Sequence, residues 1–382
     1  MPSPATPSPF GPNSESSGAA MGAWNGQVLV TAQVNAEGDL YVYAQVPGAS
    51  AWSSEKVALA SGGVTYTEPW VVATATSVQI VALDSTGRIW FWQQVDGSKL
   101  WSKRELVGDV GSENLAASAP KIAWTGVPGH TGTNSVITAV NGNGDLMFWY
   151  QIGGEWSAAQ TVADDTSYNN AALTATDDGI VIVAPEANGA LRSFYQPYGG
   201  SGWTSGASLG VGTGQRFESV SVTWDGTNVD LIAGFDDSES TDPSGDTVLF
   251  AYKSDSDRYW SSSMYLTGLN YPTELHPLAG APAIYETGGN LVVTAVQQMS
   301  SSKERLDYWW QGATFTNFNF EAVDTAMDPI AYSSSTVVST TGTGGEVAIF
   351  APVTTPSGKV DLDDWTQPVG ETVWSDPQVI AP

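Results

Sequence analysis

Aliphatic runs recur along this chain at even spacing. They read QVLVTAQV (27–34), SVQIVAL (77–83), SVITAV (135–140), GIVIVAP (179–185), VDLIAGF (229–235) and NLVVTAV (290–296). A short continuous apolar run bounded by turn residues predicts a strand buried on both faces. Each of the first four is followed by a turn of the type Asn/Asp/Glu-x-x-Gly: NAEG, DSTG, NGNG and EANG. A glycine there accepts the positive φ that a tight hairpin imposes. A second strand follows, rich in aromatic residues, and then a further one that carries a Trp.

Four copies of this unit begin at Gly38, Gly87, Gly144 and Gly189. Turn Gly and later Trp stand 14 residues apart in the first, second and fourth copies, and 12 apart in the third. Upstream of the aliphatic runs lie small–aromatic–turn patterns: AWNG (23–26), AWTG (123–126) and TWDG (223–226), with AIYETG (283–288) and IAYS (330–333) as relatives. Each repeat thus holds four strands, A to D. A period of roughly 50 residues with four strands predicts an all-β, seven-bladed β-propeller, with four antiparallel strands per blade. The expected blades are about 18–62, 63–112, 113–165, 166–212, 213–270, 271–325 and 326–382, one domain in all. The first repeat opens on strand A and the last ends on strand D, so closure needs no exchanged strand. In the seventh repeat, GGEVAIFAPV (344–353) is the expected strand C and GKVDLDDWTQP (358–368) an insertion. The fifth carries an acidic insertion, DDSESTDPSGD (236–246), between B and C.

Composition agrees. Charged residues make up 14%, against 41 Gly and 16 Trp among 382 residues, which suits short strands and tight turns. The net charge of −27 sets the chain against phosphate backbones and anionic lipid, so nucleic-acid and membrane partners are not expected. There is no cysteine and there are only two histidines, His130 and His276, which excludes thiol chemistry and argues against a zinc site. Residues 1–17, rich in Pro and Ser, read as a disordered tail without the features of a signal peptide. No apolar run reaches the 18 residues of a membrane-spanning helix.

Strand C bears the candidate chemistry. It ends on Gln45, Gln94, Gln151, Gln196 and Gln311, with Lys253 replacing Gln in the fifth repeat. Aromatic residues crowd the positions just before. Alternation puts Trp92 with Gln94, and Trp149 with Gln151, on one face. A flat ring beside an amide suits a sugar, whose apolar face stacks while its hydroxyls bond the amide. Core packing between blades explains such rings equally well.

The G-x-L-x-V/F-x-x-Q…W-S pattern resembles the sugar-binding propeller lectins of bacteria and fungi, including fucose lectins, over nearly all of 18–382. The resemblance implies sugar sites between consecutive blades. The residues it points to are Trp92, Gln94 and Trp101; Trp149, Gln151 and Trp156; Gln196 and Trp203; and Trp309 and Gln311. Fungal fucose lectins use an Arg and a Glu in every site. Here Arg88, Arg104, Arg192, Arg216, Arg258 and Arg305 share no repeat position with a Glu, which argues against fucose. The partner implied is a glycan, held by several weak sites on one ring.

Two other readings stay open. One is a protein-binding scaffold or targeting subunit using the acidic faces. The other is a glycan-active enzyme with one pocket of convergent carboxylates, although no catalytic residue stands out. Gly206–Gly210 matches G-x-S-x-G, but ends an outer strand rather than opening a helix. Asn141, Asn143 and Asp145 alternate like calcium ligands, and a plain hairpin turn explains them too. No cofactor is expected.

Overall fold

A computed structural model describes residues 21–381, apart from 25–28, 47–50, 95–100, 109–114, 126–132, 210–215, 237–247, 267–277, 312–317, 325–330, 340–345, 355–359, 369–372 and scattered single positions and pairs. The Pro/Ser-rich start and nearly all of the acidic stretch in the fifth repeat lie outside the described residues. All regular elements described are strands. They form seven antiparallel sheets, spanning 21–58, 66–106, 121–163, 172–205, 216–265, 283–324 and 331–381. The chain is a seven-bladed β-propeller. The fourth blade is typical, with strand A Ala172–Ala175, B Gly179–Pro185, C Leu191–Pro197 and D Thr204–Ser205. The third and seventh sheets hold a fifth strand, because strand D and strand A respectively are each split in two.

The turn glycine that marks the repeat also joins one blade to the next. Gly38, Gly87, Gly144 and Gly189 all adopt φ between 83° and 90°. Their carbonyls accept from the N–H groups of Tyr66, Ala116, Tyr168 and Phe217, each at or just before strand A of the following blade. That approach leaves no room for a side chain: a Cβ on Gly38 would lie 2.4 Å from Thr65 Cβ. Asn141 braces its turn in the usual side-chain-to-backbone manner, its Oδ1 accepting from the N–H of Asn143 and of Asp145.

The W-S dipeptide of strand D clips that strand to strand C. Ser102, Ser157, Ser261 and Ser375 each donate their N–H to the carbonyl of Gln93, Tyr150, Tyr252 and Thr366. Each Oγ accepts the N–H of the same partner, at 2.9–3.2 Å. Two bonds per serine hold an otherwise short outer strand in register.

Strand B is buried along its length, as its aliphatic composition predicts. Each junction between blades forms its own apolar cluster, and one of these joins Leu29 and Tyr43 of the first blade to Ala348 and Phe350 of the seventh. The ring therefore closes by packing, with every sheet made of consecutive strands. The seventh blade differs from expectation. Glu346–Thr354 is strand B, and Val360–Pro368 is strand C, paired to it along its whole length. The stretch read as an insertion is thus the third strand.

Candidate functional site at the blade junctions

Strand C presents alternate residues to its two neighbouring blades. In the third blade Leu146, Phe148 and Tyr150 face the fourth. Met147 and Trp149 face the second. Three residues before the Gln or Lys that ends strand C stands a ring in four of the seven blades, and the strand-D aromatic of the next blade stands edge-on against it. Phe91 meets Trp156 at 5.1 Å, Phe148 meets Trp203 at 5.0 Å, Phe250 meets Phe318 at 5.0 Å and Tyr308 meets Trp374 at 5.0 Å between ring centroids. In the seventh blade this position is Asp364, and Phe350 of strand B supplies the ring for Trp52. Such edge-to-face pairs add about 0.5–1.5 kcal/mol beyond area burial.

This geometry corrects part of the expected sugar site. Trp92, Trp149 and Trp309 are only 2%, 2% and 1% exposed. Trp92 packs edge-on against Tyr66, and Trp309 lies against Phe320. Gly108 closes over the indole of Trp149 so tightly that a Cβ there would sit 2.5 Å from Nε1. These three rings belong to the inter-blade core and show no free face. The glutamines are engaged too. Gln151 Nε2 donates to the Gly154 carbonyl within its own hairpin, and Gln311 Oε1 accepts the N–H of Leu291. Gln196 is buried, and Gln94 is half-buried opposite Trp101.

The strand-D residues Trp101, Trp156 and Trp203 are half-buried. Together with Trp52, Trp260 and Trp374 they share one unusual property. All six carry an enclosed indole N–H with no hydrogen-bond partner. Buried indole N–H groups normally find an acceptor, so the same unmet donor recurs at six junctions.

Three blades carry no ring at this position: Val42 in the first, Ser193 in the fourth and Asp364 in the seventh. In the fourth blade the third residue of strand C is Ser193, where neighbours carry Phe148 and Phe250. Leu191 and Tyr195 on the same face pack toward the fifth blade, whose strand-D ring is Trp260. With no ring at 193, a cavity of about 220 Å³ opens between the blades. Ser193 and Tyr195 line it with Thr204 and Ser205 of strand D and Gly206 just after it. From the fifth blade come Lys253 and Asp257. Lys253 is 3% exposed, and its Nζ donates to the Asp257 carbonyl at 3.0 Å and the Ser254 carbonyl at 3.4 Å. It lies 5.6 Å from the centroid of the Trp260 ring. The sequence pattern named Lys253 as an exception but did not place it in a site. Ser193 went unnoticed, although aligning the copies exposes it.

The titratable groups with raised values are dispersed. Burial, with Asp225 adding like charge, pushes the Asp230 carboxyl up to about 8 in the fifth blade. Burial raises Asp307 to about 6 in the sixth, against the pull of Arg305. In the seventh, burial and then Asp361 bring Asp363 to about 6. Among the described residues that line the cavity, Asp257 is the one with a carboxylate, where glycoside hydrolysis uses a pair. No group of three or more His, Cys, Asp or Glu among the described residues is arranged to hold a metal ion. No helix among them is long and apolar enough to cross a membrane.

No family model and no curated protein sequence matches the chain. Solved structures do. The fungal lectin of Aleuria aurantia, described as a six-bladed propeller with a novel fucose recognition mode, is 14% identical with a TM-score of 0.51, over 81% of this chain and 96% of its own. A variant of AofleA from Arthrobotrys oligospora is 12% identical with a TM-score of 0.50, over 95% of this chain and 86% of its own. A prolyl endopeptidase structure is 11% identical with a TM-score of 0.56, over 96% of this chain and 50% of its own. The chain shares the propeller fold with lectins and with propeller domains of peptidases.

Proposed function

We propose that the protein binds carbohydrate at its blade junctions, with the junction of the fourth and fifth blades as the main site. The observation that carries this reading is the cavity beside Ser193. Its lining brings three aliphatic hydroxyls, the Tyr195 ring, an ammonium and a carboxylate to one recess. Hydroxyls and charged groups exchange hydrogen bonds with sugar hydroxyls, and an aromatic ring takes the apolar face. The volume is below the ~300–1,000 Å³ of sites for drug-sized ligands, which suits a single sugar ring. Fucose-binding lectins among the structural neighbours support the reading at the level of fold. The half-buried Trp101, Trp156 and Trp203, each with its unmet N–H, offer weaker secondary sites for sugar hydroxyls. Several such sites on one rigid ring raise avidity without a new contact.

A glycan array tests the reading, run with and without calcium and repeated with Ser193→Phe. Binding to a related set of glycans that is lost in the folded variant supports it. A blank array from folded protein would sink it. The choice would then pass to a protein-binding surface, which has its own observation: Val46, Ile152 and Tyr259 stand exposed at the end of strand C or just beyond it in the first, third and fifth blades.

A further inference from the structure

We infer that Lys121, on the inner ring of strands, is a reactive amine that condenses with a small aldehyde. The inference concerns a different part of the molecule from the blade junctions and does not rest on the carbohydrate reading.

The topology sets its place. Strand A of each blade touches strand A of both neighbours, so the seven A strands form a closed inner ring. Strand A runs Tyr66–Ala73 in the second blade and Lys121–Trp124 in the third. Lys121 stands opposite Thr138 of strand B, and Trp70 stands opposite Val81. These places are equivalent in the repeat, and the fourth, fifth and sixth blades hold Ala172, Ser221 and Ala283 there. A lysine at this level breaks a neutral pattern.

The surroundings of the amine are unusual. Its Nζ lies 3.6 Å from the centroid of the Trp70 ring, and the residue is half-buried, so the amine sits on an apolar face within reach of solvent. On the strand that carries Trp70, Glu68 adopts φ +50°, in the left-handed region that side chains avoid. The register slips at the same place, between Thr67 and Trp70. Such bulges re-aim side chains, and backbone strain gathers at functional sites. Here the slip brings a carboxyl into the field of Lys121. Strand A of the fourth blade and strand B of the third, which also pack on this strand, carry no charged residue. Asp84, on strand B of the second blade, is engaged by Thr86, Arg88 and Trp90.

Burial pushes the Lys121 ammonium down to about 8, against the pull of Glu68. About a tenth is then free amine at pH 7, against ~1 in 2,500 for an ordinary lysine at ~10.4. A desolvated lysine amine is the usual nucleophile for carbonyl carbon. The free pair on Nζ adds to the aldehyde carbon, and the oxygen takes up a proton to give a carbinolamine. Loss of that hydroxyl as water, with the remaining amine proton, leaves the imine. No oxidant or reductant is consumed. The Glu68 carboxylate favours the protonated, positively charged imine.

The test treats the whole chain with D-glyceraldehyde and cyanoborohydride, which fixes an imine as a secondary amine. Peptide mass spectrometry then maps the label at a series of pH values. Lys121 is expected to carry at least about tenfold more label at pH 7 than Lys56, whose ammonium Asp39 holds at 2.6 Å. Its labelling should reach half-maximum near pH 8. Glu68→Gln should move that half-maximum down, because the charge that favours the ammonium is gone. Lys121→Arg, which keeps a cation over Trp70, should remove the labelled site in folded protein. Should the variants fail to fold, the label map of the unaltered protein decides alone. Lys121 left unlabelled, or labelled no more than Lys56, overturns the inference. An unmoved half-maximum in folded Glu68→Gln overturns the part given to Glu68. A blank glycan array leaves this inference standing.

Discussion

Trp149→Ala separates a packing ring from a binding ring. Trp149 is 2% exposed and lies among Phe91, Ile137, Ala139 and Met147, with Gly108 against its indole nitrogen. Removing a buried Trp of this kind costs about 3–5 kcal/mol, the lost transfer energy plus the cavity left behind. Unfolding entropy of ~2.1 cal/mol/K per residue gives about 0.8 kcal/mol/K for 382 residues. A loss near 4 kcal/mol then lowers Tm by roughly 5 °C. Trp203→Ala is the internal comparison. Its ring is half-buried and edge-on to Phe148, so it forfeits less area and one aromatic pair, about 1.5–3 kcal/mol. Thermal unfolding of both variants beside the parent, with glycan binding measured well below the transition, gives the result. The burial argument predicts the larger Tm loss for Trp149→Ala and retained binding in whatever remains folded. A Trp149→Ala protein with parental Tm and abolished glycan binding would refute it, because the ring would then be a ligand platform.

Gly38→Ala should destabilise the ring by more than about 1 kcal/mol, since φ is +83° and the new Cβ would meet Thr65 at 2.4 Å. A parental urea midpoint for this variant would contradict the account of the turn glycine as the link between blades. Stability should fall as pH rises from 5 to 8. Asp230, Asp307 and Asp363 have folded values raised above 3.8, so the folded state holds protons that the unfolded chain has released, and deprotonation penalises folding. Asp230→Asn removes the largest of these contributions. It should flatten the Tm-against-pH slope, because a neutral amide has no proton to lose as the pH rises. An identical slope in Asp230→Asn would show that Asp230 is not the titrating group.

The fold was legible because its signals are local and each has a bonded partner. A turn glycine whose carbonyl takes the next blade's N–H cannot drift, and neither can a serine that makes two bonds to strand C. The seventh blade misled for a physical reason. Trp52 needs a ring across the closing junction, and Phe350 provides it from strand B, while strand C carries Asp364 at the usual aromatic position. Strand B thus wears the aromatic mark by which strand C is recognised elsewhere.

The site was harder to read, because alternation assigns a face and not a depth. Trp92 and Trp149 do lie on the faces that the period gave them, but in a propeller both faces of strand C are covered by neighbouring blades. Where five of the seven junctions hold a ring-on-ring contact, a ring is the filling and a gap is the feature. The informative residue is then the smallest one at a position that is aromatic in four of the seven blades. Ser193 is that residue, and Lys253, the only strand-C terminus in the repeat to depart from Gln, faces it across the same junction. A missing ring and a replaced glutamine that fall on one cavity give the junction a ligand-binding reading that no single tryptophan in the ring can claim.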